Sequence, residues 1–153
     1  MRTAALVLCT LPALAVPAAA QAAGPSLDRG EHAVVRAINH ARAGHGLRRL
    51  RPEHRLARVA DLHSRHMLAG GFFGHGAFAE RVRGYADFKR IGEALAMTAR
   101  CSARRFVSMW MRSPPHRAVV LSRRFAQVGI GRRVGRLGGS YACVVTADFA
   151  SRR

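Results

Sequence analysis

Two segments in the first half of the chain carry apolar residues at every third or fourth position, a spacing that predicts helices with one buried face. The first segment follows Ser26 and Asp28, either of which can cap it, and Gly44 comes after its last turn. Its apolar stripe comprises Val34, Val35, Ile38 and Ala41. The second segment follows Pro52, and the glycine pair at 70–71 ends it.

A third helix is predicted between Ser102 and the prolines at 114–115. Ser102 can cap its first turn, and the prolines end it because proline has no N–H group to continue the hydrogen-bond ladder. Its buried face comprises Phe106, Val107, Trp110 and Met111. Shorter helical turns are predicted at residues 79–84 and 116–122.

The pattern indicates strands at residues 91–98 and in the last third of the chain. Residues 125–134 and 140–150 alternate or run apolar, and the glycine-rich stretch between them predicts a hairpin. Two strands joined by a short turn are antiparallel. The predicted fold class is therefore α+β, with helices covering a small sheet, and a parallel doubly wound fold is excluded.

The first 23 residues have the pattern of a secretory signal peptide. Arg2 precedes an apolar run over residues 3–20, and the small residues at 20–23 provide a cleavage region. A membrane anchor is the alternative, because the run approaches the length of a span. Pro12, Pro17 and the alanine-rich ending favour removal. Residues 24–153 are then expected to be one secreted domain, without a membrane span, acting at the cell envelope or outside the cell.

The chain is strongly basic. It has 26 lysine and arginine residues against 8 acidic ones, a formal net charge of +18, and Lys89 as its single lysine. This excess predicts attraction to anionic surfaces. The arginines are scattered along the sequence, so a solvated basic surface is favoured over a dedicated polyanion site. Specific nucleic-acid binding is not expected, because aromatic residues do not alternate with the basic ones as stacking platforms do.

Two cysteines, Cys101 and Cys143, lie beyond the predicted signal peptide. An even pair in a secreted chain predicts a disulfide. Closing a loop of this length is worth roughly 3 to 4 kcal/mol in the loop-entropy picture. No C-x-x-C redox or zinc arrangement is present, so the predicted bridge is structural and no thiol remains as a nucleophile.

The histidines and carboxylates are the remaining candidates for chemistry, because no nucleophile elbow, phosphate-binding glycine loop or H-E-x-x-H motif is present. His63 lies on an apolar helix stripe and is expected to be a core residue. Three residues follow sharp breaks in the pattern: His75 between glycines, Glu93 near a strand start, and His116 after two prolines. Two imidazoles and one carboxylate can form an incomplete zinc site. Spacing alone leaves open whether these three residues meet.

Several stretches of the chain resemble, in order, the motifs of the CAP superfamily, which comprises cysteine-rich secretory, antigen 5 and pathogenesis-related 1 proteins. The resemblance covers residues 34–149 and is to small, secreted bacterial members. The stretches are INHARAGHGLRRL, LARVADLHSRHM, FFGHG, IGEAL, VSMWMRSPPHRAVVLS, FAQVGIG and TADFA. The resemblance implies an α-β-α sandwich with a small antiparallel sheet between helical layers. It also implies that His75, Glu93 and His116 converge in a central cleft, which holds a divalent metal in some members.

The chain departs from the fullest form of that cleft. The second glutamate of the family, three residues after Trp110, is replaced by Ser113. Ala94 and Val119 stand where asparagines are common in the family. The expected cleft comprises His75, Glu93, Ser113 and His116. A metal bound there would have fewer polar ligands than in the fullest form.

The preferred hypothesis is a secreted, non-enzymatic CAP-domain protein that binds a small apolar ligand, a cell-wall component or another protein. It rests on the missing nucleophile and the incomplete cleft. The alternative is a zinc-dependent hydrolase or peptidase, in which His75 and His116 hold the metal and Glu93 is the base. Two protein ligands are one fewer than catalytic zinc sites commonly use. Zinc or another divalent metal is the only cofactor expected.

Overall fold

The computed structural model describes residues 27–85 and 88–151, and the predicted signal peptide lies outside them. The helices are α1 (Arg29–Ala43), α2 (His54–Gly70), α3 (Phe78–Arg83), α4 (Ala103–Arg112) and α5 (Pro114–Val120). The strands are β1 (Arg51–Pro52), β2 (Ile91–Thr98), β3 (Gln127–Leu137) and β4 (Ser140–Ala150). Every element except β1 lies within a few residues of the position that the sequence pattern predicts.

Side-chain caps set the starts of the longer helices. Asp28, one of the two predicted caps, accepts a 2.7 Å hydrogen bond from the Glu31 backbone N–H, and the Glu31 carboxylate accepts one of 2.8 Å from the Asp28 N–H. This reciprocal pair satisfies two backbone donors that a helix start leaves free. Glu53 caps α2 through a 2.7 Å bond from the Leu56 N–H, and Gly71 ends it in the left-handed conformation (φ 66°).

The sheet has the strand order β1-β3-β4-β2. β4 pairs antiparallel with both β2 and β3, as the hairpin pattern predicts, and the turn between β3 and β4 contains Gly138 and Gly139 at positive φ. The added finding is β1, which pairs parallel with β3 and makes the sheet mixed. β1 has only two residues, one of them Pro52, so no periodic pattern could have revealed it.

Helices cover both faces of the sheet. α1, α4 and α5 pack on one face through the largest apolar cluster, and α2 and α3 lie on the other face. The residues of β4 alternate between the two sides: Val145 belongs to the largest cluster, whereas Val144 packs with Met67 of α2. The α+β class and the α-β-α sandwich are therefore confirmed.

Helix α2 lies close against β3 because two glycines of that strand face it. A Cβ atom added to Gly131 would lie 2.2 Å from the Asp61 backbone nitrogen, and one added to Gly129 would lie 2.1 Å from that of Ala57. Ser64 of α2 donates a 3.0 Å hydrogen bond to the Gly131 carbonyl of β3. This packing fixes the position of the helix that leads into the His75 loop.

The predicted disulfide is present. Cys101, just before α4, is bonded to Cys143 of β4, with their Cα atoms 5.3 Å apart. The bridge ties the α4 layer to the sheet. Trp110 of α4 makes a second link to the sheet, because its indole Nε1–H donates a 2.8 Å hydrogen bond to the Leu95 carbonyl of β2.

Candidate functional site

His75 is held in the loop between α2 and α3 by hydrogen bonds on both sides. Its neighbour Gly76 has a positive φ of 55°, a conformation that side chains other than glycine rarely adopt. The buried ring of His63 donates from Nε2 to the Gly74 carbonyl at 2.9 Å, and Arg81 donates to the His75 carbonyl at 3.0 Å. His63 is thus the core residue that its position predicts, and it orders the loop instead of binding a ligand. Burial lowers its pKa, so the neutral form is favoured.

Glu93 of β2 is the centre of the site. Its side chain is 1 % exposed, and one carboxylate oxygen accepts a 2.7 Å hydrogen bond from Nδ1–H of His75. The other oxygen is paired with the guanidinium of Arg81, which projects from α3. Both carboxylate oxygens therefore have partners. Because Nδ1 of His75 donates to Glu93, Nε2 of the half-exposed ring is left for another ligand.

His116, in the first turn of α5, faces His75. The two ring centroids are 6.2 Å apart and the rings are tilted by 32°. Nδ1 of His116 shares a 2.9 Å hydrogen bond with the Ser113 hydroxyl, which leaves Nε2 available. Burial, and secondarily the charge of His75, lower the pKa of His116. Ser113, the residue at the position of the missing glutamate, thus orients this second imidazole.

Asp148 of β4 is a site residue that sequence reasoning missed. It lies opposite Glu93 in the β2–β4 pairing and is fully buried. Burial, followed by the negative charge of Glu93, raises the pKa of Asp148 well above its usual range, while the positive charge of Arg81 acts in the opposite direction. Neither Asp148 oxygen receives a hydrogen bond within the described part of the chain. Protonation of Asp148 accounts for the lack of a donor to its oxygens, because the protonated acid has an O–H group that can itself donate to the Glu93 carboxylate.

Arg81 was also missed, because it lies on a short helix among many arginines. In the sequence Arg81 looks no different from its neighbour Arg83. Only the fold shows that Arg81 contacts Glu93. Asp148 had a better signal, as an acidic residue within the otherwise apolar strand that ends in TADFA. An isolated acidic residue in a buried strand needs a polar or charged group beside it. For Asp148 that group is Glu93, which is itself paired with His75 and Arg81.

The phenylalanines around His75 differ from one another. Phe72 packs with the cluster of Met67 and Leu95 and contacts the edge of the His66 ring, with centroids 5.4 Å apart. Phe73 is 43 % exposed. Phe72 therefore contributes to the packing beside the His75 loop, whereas Phe73 reaches solvent.

The donor set fits a divalent cation only through the two imidazoles. His75 and His116 each have Nε2 free, whereas Glu93 orients His75 and is itself paired with Arg81. Within residues 27–85 and 88–151, no group of three or more His, Cys, Asp or Glu side chains has a metal-binding arrangement. A cation here would take its other ligands from water or from a bound molecule. The three-ligand set of a catalytic zinc site is not formed by the described residues.

Comparisons with known proteins agree with the fold. An extracellular SCP-domain protein from Bacillus anthracis is 24 % identical over 80 % of this chain, with a TM-score of 0.68, and this chain spans 40 % of its length. An outer surface protein from Borrelia burgdorferi is 20 % identical over 86 % of this chain and all of its own, with a TM-score of 0.69. Venom allergen-like protein 4 from Schistosoma mansoni is 14 % identical over 82 % of this chain and 90 % of its own, with a TM-score of 0.63.

These likenesses, all below 25 % identity, concern the fold. The comparison with curated protein sequences gave no match. The family model described as CAP, the cysteine-rich secretory protein family, matches residues 35–147, which contain His75, Glu93 and His116. This match covers most of the chain, and the chain belongs to the cysteine-rich secretory protein (CAP) family.

Proposed function

We propose that the protein acts at or outside the cell envelope as a non-enzymatic binding module, with its ligand in the cleft formed by His75, Glu93, Ser113 and His116. The candidate ligands are a small apolar molecule, a wall component or a protein. A divalent metal bound weakly by the two imidazoles belongs to the same proposal.

The observation that carries the proposal is the way Glu93 is used. Its two oxygens are engaged by His75 and Arg81, so the carboxylate orients an imidazole instead of standing free as a base. A carboxylate behind a histidine fixes the tautomer and makes the opposite ring nitrogen a better ligand. The cleft is therefore built to present Nε2 of His75 to a molecule or ion.

The location outside the cytoplasm has independent support. The relative from Bacillus anthracis is an extracellular protein, and the one from Borrelia burgdorferi is an outer surface protein. Within the described ranges, no helix combines the length and apolar character needed to cross a membrane. The disulfide between Cys101 and Cys143 suits an oxidising compartment.

Zinc titration by calorimetry at pH 7 tests the role of the imidazoles. The wild type is expected to bind one zinc ion, and His75→Ala or His116→Ala is expected to weaken binding roughly tenfold or more, because each removes one of two protein ligands. His54→Ala, which removes an exposed histidine at the start of α2, is the control and is expected to bind as the wild type does. Equal binding by all four proteins would exclude a metal in the cleft.

The hydrolase alternative is tested separately. It requires Glu93 to take a proton from a water molecule, although both oxygens of its carboxylate are already paired, one with His75 and the other with Arg81. A bound zinc ion would supply Lewis-acid activation of water. We expect no turnover of peptides or muropeptides by the zinc-loaded protein. Turnover that is lost in Glu93→Gln would overturn the non-enzymatic proposal.

A further inference from the structure

A cavity separate from the histidine cleft is lined mainly by arginines. It has a volume of about 590 Å³ and lies between the loop that follows α1 and the loop that joins α5 to β3. The arginines that line it are Arg42, Arg48, Arg49, Arg51, Arg123 and Arg124. These residues come from two distant parts of the sequence, and the fold gathers them around one space.

The lining of this cavity is positively charged without compensation. No acidic residue lines it, and none of its arginines forms an ion pair within the part of the chain that the structure describes. Five of the six are exposed at the cavity. By contrast, Arg81, Arg132 and Arg133 elsewhere in the protein are paired with carboxylates. Unpaired guanidinium groups that converge on one concave surface produce a focused positive potential.

Arg42 links the two walls of the cavity. Its buried guanidinium donates hydrogen bonds to the Arg48 carbonyl (3.0 Å) in one wall and to the carbonyls of Val120 (2.6 Å) and Ser122 (3.0 Å) near the other. All three partners are neutral, and burial lowers the pKa of Arg42 with no carboxylate acting to restore it. A buried cation without a counterion is costly. An anion in the cavity would supply that counterion.

We propose that this cavity is a binding site for an oligophosphate group, meaning an anion with two or more linked phosphates. The planar fork of arginine matches the oxygens of a phosphate in a bidentate manner. A single carboxylate or monophosphate would leave most of the charge of six guanidinium groups unmatched, whereas linked phosphates present several charges within one cavity. The proposal is independent of the function proposed for the histidine cleft.

Calorimetry with sodium tripolyphosphate at low salt tests the site, with two double variants that each remove two cavity arginines: Arg123→Gln/Arg124→Gln and Arg48→Gln/Arg49→Gln. The matched control is Arg104→Gln/Arg105→Gln, an exposed pair on α4 whose loss changes the net charge equally. All substituted side chains are exposed, so circular dichroism is expected to show unchanged folding.

The wild type is expected to bind tripolyphosphate more tightly than monophosphate. Each cavity variant should lose roughly tenfold or more in affinity, because two charge-assisted contacts are removed, and the control should lose less than about twofold, through long-range charge alone. Equal losses in cavity and control variants would overturn the proposal, because the attraction would then be spread over the basic surface. Equal affinity for sulfated dextran, with the same sensitivity to the cavity variants, would overturn the preference for phosphate.

The source of the linked phosphates is distinguished with soluble tripolyphosphate and with vesicles that contain a lipid diphosphate, against phosphatidylglycerol vesicles as the monophosphate control. If the natural ligand is a soluble oligophosphate, tripolyphosphate binds at the cavity and binding to the diphosphate vesicles is equal in the cavity and control variants. If it is a lipid diphosphate, binding to those vesicles also falls in the cavity variants alone, and tripolyphosphate competes for it. Both results support the site, and absence of tripolyphosphate binding by the wild type refutes it.

Discussion

Replacement of Asp148 by asparagine tests the buried carboxyl pair. Asp148 is fully buried beside Glu93, and its raised pKa means that the folded protein holds a proton there at pH values where an unfolded aspartate, with a pKa of about 3.9, has lost it. Unfolding in that range releases a proton, so the free energy of unfolding falls as pH rises from about 3.9 toward the folded pKa. Asparagine is isosteric with the protonated acid, can donate to Glu93 and does not titrate.

The magnitude follows from proton linkage. A difference of one bound proton changes the free energy of unfolding by about 1.4 kcal/mol per pH unit. We therefore compare the free energy of unfolding of Asp148→Asn with that of the wild type. The difference, variant minus wild type, is expected to rise by up to about 1.4 kcal/mol for each pH unit between the unfolded and the folded pKa of Asp148. At neutral pH the variant should be the more stable protein, because asparagine occupies the buried position without having to bind a proton.

The assay is urea unfolding followed by circular dichroism at pH steps between about 4 and 8. Glu80→Gln removes an exposed carboxyl group from α3 and controls for the loss of one titratable acid. If the free energies of unfolding of the wild type and of Asp148→Asn change with pH in the same way, Asp148 is ionised in the folded protein. The inference that it is protonated would then be wrong.

Two further substitutions test the packing. Gly131→Ala places a Cβ 2.2 Å from the Asp61 backbone nitrogen and should lower the free energy of unfolding by about 1 to 3 kcal/mol or more. The control is Gly44→Ala, whose Cβ would meet nothing closer than 3.5 Å and which should be nearly neutral. Equal effects of the two substitutions would refute the close approach of α2 to β3. Removal of the disulfide by Cys101→Ser/Cys143→Ser should lower the free energy of unfolding by about 3 to 4 kcal/mol, and an unchanged urea midpoint would contradict its structural role.

Much of the site could be predicted before any coordinates existed. His75, Glu93 and His116 each stand at a visible break in the pattern, and the family resemblance supplied the expectation that they meet. The interactions within the site could not be predicted in the same way. Arg81 and Asp148 complete the Glu93 network, and each looks ordinary in its own stretch of sequence. Both residues matter because they lie beside Glu93. Glu93 belongs to β2, whereas Asp148 belongs to β4 and Arg81 to α3, so the three residues are far apart in the sequence.

The local elements follow from the amino-acid sequence alone. The capping box of α1, the glycines and prolines that end helices, the hairpin and the cysteine pair all act over short range or through simple chemistry, so periodicity and residue type were sufficient. Hydrophobic periodicity shows which face of an element is buried, but it does not name the partner across the interface.

Three further features depend on the tertiary fold: the two-residue strand β1, the burial of Asp148 beside Glu93, and the group of arginines that line the cavity between the loops before β1 and β3. The scatter of arginines along the chain predicted a diffuse basic surface, yet the loops before β1 and before β3 bring six of them together. The physical reason is common to all three. Each depends on strand register and loop position, which place residues side by side although they are far apart in the sequence.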